Sequence, residues 1–137
     1  MILRAVKLML RAHSGQFDKM GYPYHFHPLR VASCIHYEKE ALRIAALLHD
    51  VVEDGGIPLE LIREDFGPFV ADIVGCLTRR KDEPYFEYIG RVEGNPLAAR
   101  IKLLDLRDNL LDWRVGALSN THIIRYREAL KYLEDRE

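Results

Sequence analysis

His49 and Asp50 close a stretch of chain, Ala41 to Val52, that is otherwise almost wholly apolar. An imidazole and a carboxylate in such surroundings need a partner or a metal ion, because an unpaired buried charge is strongly unfavourable. Glu53 and Asp54 follow one helical turn later. The pairs His49/Glu53 and Asp50/Asp54 are each spaced i,i+4, which on a helix puts all four side chains on adjacent stripes of one face. Held together, three carboxylates and an imidazole call for a cation. Spread apart, they are a solvated helix end before Gly55 and Gly56. Residue types alone leave both readings open.

Two further positions bear on that choice. Pro28 suits the first position of a helix, which places His27 at the N-cap. There the positive end of the helix dipole disfavours imidazolium and keeps a ring lone pair free for a metal. Taken singly, His27 reads equally well as a capping or core histidine. Asp105 and Asn109, again i,i+4, lie on a long helix with Lys102, Arg107 and Asp108, while Leu103, Leu106, Leu110 and Trp113 form another stripe. By themselves Asp105 and Asn109 are a solvated polar face.

The elements that must position these groups have a helical period almost throughout. Ile2, Val6, Met9 and Leu10 mark a first amphipathic helix over residues 2–13, followed by a loop from Ser14 to His27 with Gly15, Gly21 and Pro23. A second helix runs from Pro28 to about Tyr37. Residues 39–53, apolar nearly all round, predict a central buried helix ended by Gly55 and Gly56. Short helices follow from Pro58 to about Phe66 and from Pro68 to Leu77. A basic loop, Arg79 to Pro84, leads to a short aromatic helix with Tyr85, Phe86 and Tyr88. A long helix from about Leu97 to Trp113 and a last one from about Thr121 to Leu133 complete the chain. The expected class is all-α, with residues 1–137 forming one helical bundle.

Composition sets limits on function. The chain has 20 basic and 21 acidic residues, a formal net charge of −1, so no strong field favours long nucleic acid or an acidic membrane. Any phosphate binding must come from a local cluster. No uncharged apolar run approaches the ~18 residues of a membrane span, and Arg4, Lys7 and Arg11 interrupt the first helix in a way a secretion signal does not. The two cysteines, Cys34 and Cys76, lie in apolar helical patterns and read as reduced core residues. A cytoplasmic location is the expectation.

The order His27, then His49-Asp50, then Asp105, on separate helices, resembles the ligand pattern of the HD phosphohydrolase superfamily. The segments Ala12 to Gln16, Tyr22 to Ala32, Ala46 to Asp54 and Ile101 to Asp105 are similar to the hydrolase domain of Rel/SpoT-type alarmone enzymes and their small stand-alone relatives. That resemblance implies that His27, His49, Asp50 and Asp105 hold one divalent metal ion, manganese first, with iron or zinc also suited to a mixed nitrogen and oxygen site. It implies that Glu53 and Asp54 orient the attacking water and handle its proton. Lys19 would lie near substrate phosphates, and Tyr24 and Asn109 would line the pocket.

The resemblance breaks at Asp18, where alarmone hydrolases carry an arginine that packs on guanine, and at Met20, where a small polar residue is usual. It also breaks after Leu77, where Arg79 and Arg80, with Lys81, suggest a phosphate-binding lip and Tyr85 or Tyr88 a stacking surface. The implied activity is hydrolysis of a small nucleotide, with 3′-pyrophosphate removal from a (p)ppGpp-like alarmone as first candidate. A phosphatase for another nucleotide, or a non-catalytic nucleotide sensor on the same fold, are the alternatives. Nothing in the sequence fixes an oligomeric state.

Overall fold

The computed structural model describes residues 1–137 as nine α-helices: α1 Ile2–Ala12, α2 Phe26–Ser33, α3 Glu40–Leu47, α4 Leu59–Phe66, α5 Pro68–Leu77, α6 Tyr85–Glu93, α7 Pro96–Asn109, α8 Asp112–Val115 and α9 Asn120–Glu134. The only β pairing is an isolated antiparallel bridge, Phe17 to Pro23, so the all-α expectation holds. No helix is long and apolar enough to cross a membrane.

One hydrophobic core of 30 buried residues runs through every helix except the short α8. Its centre is α3 and the turns after it, where Ala45, Ala46, Leu48 and Val51 are fully buried. Helices α1, α2 and α5 pack around α3, and α7 bridges α2, α5, α6 and α9. This arrangement presses the ends of α2, α3 and α7 together. It is what brings the chemically interesting residues within reach of one another.

Several boundaries differ from the sequence expectation, each for a local reason. The central helix stops at Leu47, and residues 48–55 form successive turns. The His49 ring bonds the Ala46 carbonyl through Nδ1 at 2.6 Å. A continuing α-helix would offer that carbonyl to the Asp50 N–H, so the side chain competes with the backbone here. Further on, Asp54 N donates to Asp50 O at 2.9 Å, which keeps an i,i+4 relation between those two residues.

His27 is not a cap. Helix α2 begins at Phe26 after His25, because Pro23 and Tyr24 form a turn whose carbonyls accept from Phe26 and His27. Pro28 therefore sits at the third helical position, still within the first turn where a missing N–H has no cost. The long helix is also broken. It ends at Asn109, with Asn95 capping its start through bonds from Leu97 N and Ala98 N. The chain then turns into α8, leaving Trp113 exposed and Arg114 buried.

Neither cysteine is in the core, contrary to expectation: Cys34 is exposed, Cys76 is half-buried, and both are free thiols. Cys34 falls at the C-cap of α2, just beyond its buried stripe. Leu10 likewise lies off the buried stripe of α1, which is Ala5, Leu8 and Met9. Gly55 lets the turn pass against α1; a Cβ there would lie 2.8 Å from the Ala12 Cβ and 2.8 Å from the Val51 carbonyl.

Candidate metal centre

His27 comes from α2, His49 and Asp50 from the turn after α3, and Asp105 from α7. His27, His49 and Asp105 are buried and each offers a ligand atom, all within 4.8 Å of one another. His27 Nε2 lies 2.7 Å from Asp105 Oδ1, and His49 Nε2 lies 3.6 Å from the same oxygen. Asp50 Oδ2 is 3.0 Å from His49 Nε2 and 4.0 Å from His27 Nε2. The four residues singled out from the sequence thus meet at one point.

Hydrogen bonds fix which atoms face that point. The His49 Nδ1–H donates to Ala46 O, leaving Nε2 directed at the carboxylates. This Nε2 is buried and has no hydrogen bond of acceptable geometry. A buried nitrogen without a partner, among carboxylate oxygens and a second imidazole, is the donor set a divalent first-row cation takes. The residues fit such an ion. Around them, Tyr24 Oη donates to Asp50 Oδ2, Lys102 Nζ donates to Asp105 Oδ2 at 2.8 Å, and Asn109 Nδ2 donates to Asp105 Oδ1 at 3.3 Å.

The electrostatics follow from this crowding. Burial pulls both histidines down, but hydrogen bonds and charge from the aspartates outweigh it. His27 is held above the usual histidine value by Asp105 and Asp108, and His49 well above it by Asp50 and Asp105. Burial raises Asp50 and Asp105, yet His49 holds Asp50 down, and Lys102 with the two imidazoles holds Asp105 well down. Carboxylates that stay ionised while imidazoles take protons are the arrangement a metal ion would replace.

Glu53 and Asp54 line the same cavity, on the solvent side. Burial is the first cause that raises each of their pKa values, with neighbouring carboxylates adding to it; for Glu53 the Arg79 backbone N–H opposes the shift. That N–H donates to Glu53 Oε1 at 2.7 Å.

The cavity, about 230 Å³, is lined by the acidic group, by Lys102 bonded to Asp105, and by Arg79 and Arg125, with His122 and Tyr126. A second cavity of about 260 Å³, lined by Lys19, Asp18 and Met20, adjoins the first across Tyr24, Asn109 and Tyr126. Lys19 contacts His122 Nδ1 at 3.2 Å.

Of the five substrate-binding candidates, Lys19, Tyr24, Asn109 and Arg79 line these cavities. Arg80 does not; it is exposed, and its backbone N–H bonds Glu83. Adjacent residues in this loop diverge, so the lip has one arginine, packed over the Tyr85 ring at 5.5 Å. Tyr88 is a core residue whose hydroxyl donates to Leu77 O. Sequence reasoning missed His122, Arg125 and Tyr126. They lie on the last helix, where a cationic stripe reads as ordinary solvated surface.

The chain matches the HD domain family over residues 5–107. It belongs to that family. An HD domain implies a divalent metal, and the buried histidine–aspartate group is one that could hold it. Relatives of this HD domain include the guanosine-3′,5′-bis(diphosphate) 3′-pyrophosphohydrolase MESH1 of Danio rerio, 36% identical over 121 residues, covering 82% of this chain and 67% of that protein. The guanosine-3′,5′-bis(diphosphate) 3′-pyrophosphohydrolase of Aquifex aeolicus is 35% identical over 120 residues, or 80% of this chain. That of Haemophilus influenzae is 52% identical over 71 residues, or 50% of this chain. The matched region is only 17% and 10% of those two bacterial proteins. A solved structure described as a metazoan ortholog of SpoT that hydrolyzes ppGpp superposes with a TM-score of 0.79 at 28% identity, covering 98% of this chain and 84% of that one.

Proposed function

We propose that this HD domain is a metal-dependent phosphohydrolase of small nucleotides, with removal of the 3′-pyrophosphate from a guanosine tetraphosphate-like alarmone as its first candidate reaction. One observation carries the reading: two imidazole nitrogens and an aspartate oxygen from three distant segments converge, and that aspartate, with Asp50, lines a cavity that also holds Arg79 and Arg125. The names of the relatives supply the substrate class, and the cytoplasm is the compartment where such nucleotides and two free thiols belong.

In this reading His27 Nε2, His49 Nε2, Asp50 Oδ2 and Asp105 Oδ1 hold the ion, with manganese preferred. Once bound, the ion lowers the pKa of water toward neutrality and polarises a phosphoryl oxygen. Tyr24 and Lys102 hold Asp50 and Asp105 in place. Glu53, fixed by the Arg79 N–H, is positioned to accept the water proton, and Asp54 beside it keeps a raised carboxyl that can pass a proton to the leaving group. Arg79 and Arg125 receive the phosphates, and Lys19 extends the same charge into the adjoining cavity.

A second reading, a phosphatase for another nucleotide, is favoured by Asp18. Its carboxylate accepts from Met20 N and Tyr22 N and faces Arg114 at 3.9 Å. No arginine stacks on a base from this position. The test is to incubate purified protein with manganese and a nucleotide panel and to measure pyrophosphate against orthophosphate. Pyrophosphate from the alarmone is expected. Orthophosphate from other nucleotides with an untouched alarmone selects the second reading, and tight binding without turnover selects a sensor.

A further inference from the structure

Asp108 is buried beside His27, yet the proposed reaction gives it no role. Its Oδ2 lies 2.6 Å from His27 Nδ1. An ionised carboxylate only accepts, so Nδ1 carries a hydrogen toward Asp108, and Nε2, 2.7 Å from Asp105 Oδ1, is the nitrogen whose proton a metal ion would replace. Asp108 is itself gripped from two sides. Arg30 donates Nε to Oδ1 at 2.8 Å and Nη2 to Oδ2 at 3.1 Å, and Arg114 donates Nη1 to Oδ2.

The same Arg114 Nη1 also lies 3.2 Å from Asn109 Oδ1. With its oxygen taken up there, the Asn109 amide turns its NH₂ toward Asp105 Oδ1. Arg114 is in reach only because the chain breaks after Asn109. Six residues apart on a straight helix, Asp108 and Arg114 would point about 120° apart around the axis; the turn into α8 folds the guanidinium back.

A knot of charges that merely tied α2, α7 and α8 together would not need a ring nitrogen of His27 or the amide of Asn109. From this geometry we infer that Asp108 and Arg114 are a positioning pair for the metal centre: Asp108 sets the tautomer and ring plane of His27, and Arg114 sets the amide of Asn109 that orients Asp105. The inference rests on the reading of His27 and Asp105 as ligands, and it concerns how tightly the ion is held, apart from which nucleotide is cleaved.

The experiment uses cobalt(II) as the probe, followed by its visible absorption, on the wild type, Asp108→Asn and Arg30→Gln. Asn at position 108 can donate to Nδ1 and so favour the wrong tautomer. Cobalt affinity is expected to fall about 10- to 100-fold in Asp108→Asn, measured well below the melting temperature of the variant. Arg30→Gln leaves Asp108, His27 and Arg114 in contact and is expected to stay within about twofold, because it removes only the outer grip. Unchanged affinity in Asp108→Asn, or an equal loss in both variants, overturns the pairing in favour of a structural knot.

If Asp108→Asn does not fold, the imidazole ¹H–¹⁵N spectrum of the zinc-loaded wild type decides. A protonated Nδ1 and a zinc-shifted Nε2 on His27 are expected, and the reverse assignment overturns the inference. Wild-type protein that takes up no cobalt at all would instead overturn the ligand reading on which the inference stands.

Discussion

Glu53 and Asp50 stand three residues apart, yet their surroundings set different tasks. Asp50 is packed against His49 and Tyr24 and held ionised by the imidazole. Glu53 is exposed enough to meet solvent, its carboxyl raised first by burial and then by Asp54, and one oxygen is fixed by the Arg79 N–H. Removing Asp50 therefore strips the cluster of an inward oxygen, whereas removing Glu53 leaves every inward donor in place. Asp50→Ala is expected to abolish stoichiometric manganese binding in a calorimetric titration. Glu53→Ala is expected to bind manganese normally and to lower kcat by at least ~100-fold, the scale of a lost general base. Full activity in Glu53→Ala would show that proton handling belongs elsewhere, with Asp54 the next carboxylate in the cavity.

At the scale of elements, the loop before α6 decides where Arg79 points. Glu83 accepts from Arg91 Nε and Nη2 and from Arg80 N, while its own carbonyl accepts from Arg79 Nε. The Arg91 hydrogen bond is the main cause that holds the Glu83 carboxyl at about 2. A folded-state pKa below the unfolded value contributes stability above the unfolded pKa, and that stability is lost as pH falls through the folded one. Wild type is thus expected to melt above Glu83→Gln at pH 7, with the gap closing between about 4.5 and about 2 in thermal melts. A gap that is constant down to pH 3 would show that the charge of Glu83 is not its source. This loop also shows what the sequence could convey. Periodicity placed the helices, and the motifs singled out His27, His49, Asp50 and Asp105, which the fold brings together, because both signals are local. The end of α3 depended on a side chain competing for one carbonyl, and the break after Asn109 brought in Arg114 from beyond the motif. The helix α9 contribution needed packing between α7 and α9, which no local pattern carries.

For the molecule as a whole, the proposed metal centre joins segments 22 and 78 residues apart in sequence around His27, so an ion held there would act as a cross-link between α2, the turn after α3, and α7. The chelated protein and the metal-loaded protein should consequently respond to pH in opposite directions. Without the ion, His27 and His49 have folded-state values raised above 6.5 by the surrounding aspartates. Groups raised in this way contribute stability that is full below about 6.5 and is lost as pH climbs through the folded-state values. With excess manganese the imidazoles must be deprotonated to bind, so the stabilisation by the ion grows over the same range. Melting temperatures in a chelator are expected to fall from pH 6 to pH 9, and the increment given by manganese is expected to rise. The increment should be absent at every pH in Asp50→Ala, which separates binding at this centre from weak binding to the many surface carboxylates. An increment that shrinks as pH rises would mean the ion does not displace protons from these two rings, and that the cation sits against the carboxylates alone.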